Sequence, residues 1–139
     1  MSDKKEHLFL IFDHMIRIKS ECSCGIFSEC SLSDITLKQI HYLKTIDQNG
    51  VVTFSKLAEI TRNSKPTITG MINKLEGMDC VYREPCPYDG RIYYIRLTGK
   101  GEMIARAEQK ALHQVIDRII ERLDEHEIDA LIGILRKVR

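Results

Sequence analysis

Between Thr53 and Leu97 the hydrophobic period changes from 3.6 to 2, and that change limits the folds open to the chain. Leu57, Ala58 and Ile60 follow Thr53 at helical spacing, and Thr53 is placed to cap them. After Thr61-Arg62-Asn63 a second helix is expected to begin between Ser64 and Pro66, because proline in a first turn costs no hydrogen bond. Ile68, Met71, Ile72 and Leu75 then share one face, and Pro66, Thr69, Gly70, Asn73 and Lys74 fall on the opposite one. Val81-Tyr82-Arg83-Glu84 and Arg91 to Leu97 read instead as strands, rich in β-branched and aromatic residues. Pro85-Cys86-Pro87-Tyr88-Asp89-Gly90 separates them and marks a hairpin tip. A helix, a turn, a helix and a hairpin in that order make a winged helix-turn-helix.

The flanks are helical. Leu8, Ile11, Phe12, Met15 and Ile18 recur at spacings of three and four, as in an amphipathic helix. The stretch from Glu21 to Ser31 is rich in Ser, Cys and Gly and reads as a loop. Thr36 with Gln39 forms a capping box for the next helix, carried on by Ile40, Leu43, Lys44 and Ile46 and ended by Asn49-Gly50. Thr98 is expected to cap one long helix with an apolar edge from Ile104 through Ala107, Ala111, Val115 and Ile119 to Leu123. A last helix carries Ile128, Leu131, Ile132, Leu135 and Val138, with Arg136, Lys137 and Arg139 at its negative pole. The fold class is therefore mainly α with a small β-hairpin wing, in a single compact domain. Its parts are an N-terminal helix and Cys-containing loop (1–35), a winged helix-turn-helix (36–98) and C-terminal helices (99–139). The outer helices can bury their apolar faces against a second copy, giving a two-fold homodimer, or against each other within one chain.

A net charge of +1 gives no sign of a polyanionic partner, but its distribution does. From Thr53 to Lys100 eight Lys and Arg stand against five acids, while Glu121, Asp124, Glu125, Glu127 and Asp129 gather near the C-terminus. No apolar run approaches the roughly 20 residues that span a bilayer, so no membrane role is expected. The N-terminal apolar run is broken by Asp13, His14, Arg17 and Lys19, unlike a signal peptide, and a cytoplasmic location is expected. Five cysteines in such a chain argue for free thiols, metal ligands or redox sensors rather than a disulfide scaffold. A phosphate-binding glycine loop, a nucleophile elbow and a histidine metal motif are all absent, which argues against an enzyme.

Five segments occur in a telling order: Ser64-Lys65-Pro66-Thr67-Ile68-Thr69, Lys74-Leu75-Glu76, Val81-Tyr82-Arg83, Asp89-Gly90-Arg91 and Arg96-Leu97-Thr98-Gly99-Lys100-Gly101. The series, within about Thr36 to Gly101, resembles the multiple-antibiotic-resistance regulator (MarR) family of bacterial and archaeal transcription factors. Two positions depart from that pattern. Asp79 stands where the family usually has glycine, and Asp tolerates a left-handed turn better than most residues. Gly70 stands where an arginine is common in the recognition helix.

The resemblance implies a DNA-binding regulator, most often a repressor, that holds a pseudo-palindromic duplex as a homodimer and is released by an effector. In the recognition helix Ser64, Lys65, Pro66, Thr67, Thr69 and Asn73 become candidates for major-groove contact, each with the plain alternative of an exposed polar residue. Arg91 is expected in the adjacent minor groove, with Asp89 orienting its guanidinium, and Arg83 and Lys100 on phosphate. No cofactor is required; a small-molecule effector or a metal ion is the open question. A small aromatic ligand would use His14, Arg17, His41, Tyr42 or their neighbours. Cys22, Cys24 and Cys30, with His41 and His113, are the metal candidates, and Cys22, Cys24, Cys30 and Cys86 the candidate sensor thiols; unremarkable thiols are the alternative. A winged helix used for protein contact is the rival to DNA binding.

Overall fold

A computed structural model describes residues 1–29 and 35–139. Two compact units emerge, one of Met1–Gly25 and Glu108–Arg139, the other of Ile26–Ala107.

The second unit contains the winged helix. Helix α2 (Leu37–Asn49) starts at Thr36, whose hydroxyl accepts from the Gln39 backbone while Gln39 Oε1 accepts from the Thr36 N–H, closing the box at both ends. Strand β1 (Val52–Thr53) leads directly into α3 (Phe54–Thr61), capped by Thr53. Arg62, in the left-handed region at φ 55°, ends α3, and Ser64 caps α4 (Lys65–Gly77) with Pro66 in its first turn. Asp79, also left-handed at φ 60°, turns the chain into β2 (Val81–Pro85), as expected for an aspartate at that position. Strand β3 (Tyr93–Leu97) returns antiparallel, pairing Val81 with Leu97 and Pro85 with Tyr93. β1 adds to its other edge through Val52 and Ile95, so the sheet order is β1-β3-β2. That short third strand was not apparent from periodicity, since two residues carry no period.

Thr98 then caps α5 (Gly99–Ala105). Its hydroxyl also donates to the Asp79 carbonyl, and its N–H donates to the Cys80 carbonyl, so the start of α5 is fastened to the turn after α4. Gly101 is required here: a β-carbon would lie 2.0 Å from the Cys80 carbonyl oxygen. The core of this unit is one cluster in which Leu43, Leu57, Ile68, Ile72, Leu75 and Ile95 are fully buried, closed by Ile104 from α5. The amphipathic face expected for α4 is thus the buried one.

Two expectations need correction. The stretch from Glu21 to Glu29 is not a loop but the end of α1 (Ser2–Glu29). Ile26 is buried there and Phe27 packs on the core, and such burial outweighs weak helix propensity. The long helix expected after Thr98 is broken, α5 ending at Ala105 and α6 (Ala107–Arg122) following. Between them Arg106 sits at φ −100°, ψ 2°, its guanidinium forked onto Asp47 at 2.8 and 3.1 Å. No proline or glycine marks the break; the fork on a distant carboxylate accompanies it.

In the other unit, α1 and α6 each carry an apolar edge, with Ala111 and Val115 buried. Helix α7 (Glu125–Arg136) begins with an Asp124–Glu127 capping box and buries none of its residues. No described helix is long and apolar enough to cross a membrane.

Candidate nucleic-acid interface

The hydroxyl cap and Pro66 start α4, and the buried stripe of Ile68, Ile72 and Leu75 fixes its roll. Lys65, Pro66, Thr67, Thr69, Gly70 and Asn73 are consequently exposed on the outer face, as is the cap Ser64. Nothing lies within 4 Å of the place a Gly70 side chain would occupy, so this face is locally flat and bare. Ser64 and Thr67 share a hydrogen bond of 2.8 Å between their hydroxyls.

The hairpin tip is held by Asp89. Its carboxylate accepts from the Arg91 backbone N–H at 3.0 Å and from the guanidinium at 3.2 and 3.4 Å. Those bonds, the backbone one foremost, hold the Asp89 carboxyl below the usual carboxylate range. Arg91 itself is 92% exposed. It lines a shallow groove of about 290 Å³ with Thr53, Ser55, Thr69, Arg83 and Tyr93. The two other basic candidates are placed differently. Lys100 sits in the first turn of α5, half-buried. Arg83 is 34% exposed and engaged with Asn73, with Glu76 at 3.4 Å and with the ring of Phe54. Its engagement with Asn73, Glu76 and Phe54 could not be read from spacing, because the contacts join β2 to α3 and α4.

The remaining candidates are divided between the two units. His14 lines a groove of about 480 Å³ in the outer unit, over Met15, Ile18 and Ile119 and beside Arg118 and Arg122. The last two were not anticipated, although four-residue spacing on one helix could have flagged them. Arg17 pairs with Asp13 at 3.1 Å. His41 is exposed on α2, whereas Tyr42 is buried in the winged unit and its hydroxyl accepts from Asn63 at 2.5 Å. Cys22 and Cys24 stand two apart on α1, and residues at that spacing point to different sides of a helix, so the two do not converge on one ion. His113 is exposed on α6, and Cys30 lies outside the described residues. Among the described residues no three His, Cys, Asp or Glu side chains are grouped to hold a metal ion. Cys86, in the wing, shares a hydrogen bond of 3.3 Å with the Tyr94 hydroxyl. That contact chiefly, helped by backbone N–H groups of Tyr88 and Asp89, lowers its thiol pKa. Cys80 is buried in the core.

An outward-facing second helix of a helix-turn-helix, followed by a hairpin with an extended arginine, defines a winged helix-turn-helix protein. Residues 35–93 match the model of the MarR family. A helix-turn-helix-type transcriptional regulator of Mycobacterium leprae is 29% identical over 99 residues, covering 71% of this chain and 69% of that protein. Over residues 35–93 the chain is thus similar to the MarR family, and the relatives it matches are named helix-turn-helix-type transcriptional regulators. Among solved structures, S. aureus MepR in complex with DNA is similar at TM-score 0.68 and 23% identity, covering 96% of both chains. MepR bound to ethidium bromide gives TM-score 0.71 at 22% identity, covering 96% of this chain and 92% of that one. Streptococcus pneumoniae FabT in complex with DNA gives 0.58 at 24% identity, covering 99% and 93%. At these identities the likeness is one of fold.

Proposed function

We propose that two copies of the chain hold a pseudo-palindromic duplex, with α4 in the major groove and Arg91 in the neighbouring minor groove, and that the bound dimer represses transcription in the cytoplasm. The observation that carries this reading is the wing tip: Asp89 fixes a guanidinium that is otherwise open to solvent. A narrow, A·T-rich minor groove concentrates negative potential and favours an arginine presented in this way. Lys65, Thr67 and Thr69 offer donors and methyls to base edges, while Lys100 serves the phosphate backbone, which sets register without reading sequence. The two DNA-bound neighbours of the same fold are consistent with this use.

The dimer is supported by the outer helices. Leu8, Ile11, Phe12 and Ile16 on α1, Ile116 and Ile120 on α6 and Ile132 and Leu135 on α7 are exposed. So much apolar surface on one part of a small protein marks an interface. Release by a small aromatic ligand is the effector reading favoured here. The groove around His14 combines an apolar floor with the cations Arg118 and Arg122, a lining that suits an aromatic carboxylate or phenolate.

Fluorescence anisotropy on a duplex selected from a random pool by the purified protein tests the interface. Affinity should fall by about 10³ to 10⁵ between 50 and 200 mM salt if six to ten phosphates are neutralised. Arg91→Ala should weaken binding roughly tenfold or more, the loss of one good groove contact. Lys56→Ala, whose ammonium lies 3.9 Å from Glu59, should change it little. The reverse order would sink the wing assignment, and a flat salt response would favour protein contact instead.

A further inference from the structure

Arg83 joins three elements of the winged unit: β2, α3 and α4. It lies on β2 opposite Ile95, and its guanidinium carbon is 5.0 Å from the centre of the Phe54 ring, at the first residue of α3. Its Nη2 donates to Asn73 Oδ1, and its Nε lies 3.4 Å from the Glu76 carboxylate, both on α4. Asn73 and Glu76 are three apart and so share one side of that helix. A planar fork suits this arrangement: its edge bonds an amide oxygen and pairs with a nearby carboxylate while its face stacks on a ring. A phosphate arriving there would meet the Glu76 carboxylate beside the cation.

We infer that Arg83 is a positioning residue that clamps α4 to the wing and to α3, and that Asn73 gives its amide oxygen to this clamp instead of to a base. The inference rests on the DNA-binding reading and revises two of its expected contacts. The angle between α4 and the wing decides whether the helix and Arg91 reach adjacent grooves together, so the clamp acts on affinity through both. Lysine cannot replace it, since an ammonium is a point charge with no stacking plane.

The test measures binding of Arg83→Lys, Arg83→Met and Asn73→Ala to the selected duplex across a salt series. A clamp predicts that Lys and Met lose affinity to a similar extent, about tenfold, the scale of one polar contact. It also predicts a slope of log affinity against log salt equal to that of the unaltered protein. Asn73→Ala should add little in the Arg83→Met background, and its loss should be uniform across single-base variants of the duplex. A direct phosphate contact predicts the opposite: Lys restores binding and Met lowers the salt slope by about one. That result, or an Asn73→Ala loss confined to one base pair, overturns the inference. Should Arg83→Met fail to fold, Arg83→Lys carries the same discrimination through its affinity alone. If the unaltered chain binds no duplex, the DNA-binding reading fails first. The clamp is then judged by unfolding, where non-additive destabilisation in the Arg83→Met and Asn73→Ala cycle supports it and strict additivity overturns it.

Discussion

Within Ile26–Ala107, Leu43, Leu57, Ile68, Ile72, Leu75 and Ile95 are closed off from water, whereas Leu8, Phe9, Leu10, Ile11 and Phe12 on α1 all remain open to it. Helix α7 goes further and buries nothing of its own. Both regions were built from the same residue types, so composition does not separate them. What separates them is closure: the winged unit has helices on one side and a sheet on the other, and each apolar face finds a mate within a few elements. A unit of amphipathic helices with open faces has not yet found its last layer. The first region can be understood from one chain, and the second is completed in the proposed dimer.

The comparison can be broken most sharply at Phe12. Phe12→Asp places a charge on the open face of α1 and should convert the dimer to monomer, seen by light scattering. It should also weaken duplex binding by about 10² to 10⁴, the avidity lost when two heads no longer act together. Retention of a full dimer would show that this face is not the missing contact. The converse substitution, Ile72→Ala, removes fully buried atoms beneath α4 and should cost about 2 to 5 kcal/mol of stability in denaturant titration. Gly101→Ala forces a methyl against the Cys80 carbonyl oxygen and should cost about 1 to 3 kcal/mol. Both should leave association of the outer helices intact where the chain stays folded. The smallest effect is expected from Asp79→Gly, which relieves a left-handed aspartate and should stabilise the winged unit by up to about 1 kcal/mol in a thermal melt. A destabilised Asp79→Gly would mean that the side chain does more than tolerate its turn.

Much of the winged unit was legible because its decisive signals are local. Thr36, Thr53, Ser64 and Thr98 each cap a helix through a backbone N–H three residues away. The stripe of Ile68, Ile72 and Leu75 and the Pro–Gly tip of the hairpin are equally short-range. The misreadings all involve distant partners. Glu21–Glu29 is helical because Phe27 packs on a core supplied by later residues and Ile26 is buried beside it in sequence. The break at Arg106 accompanies a fork on Asp47, 59 positions earlier. At the interface, the exposure of Arg91 and its bond to Asp89 could be anticipated from a turn two residues long. The capture of Arg83 by Phe54, Asn73 and Glu76 could not, since it depends on how strand and helices dock.

The contact between Gly101 and the Cys80 carbonyl has a consequence for genetics. Every replacement of that glycine adds a carbon where an oxygen already sits. A saturation screen for failed gene control should therefore recover alleles at codon 101 as readily as at the wing, although nothing there has any business with a promoter. Telling such alleles from true operator-contact alleles would require an abundance measurement alongside the reporter signal.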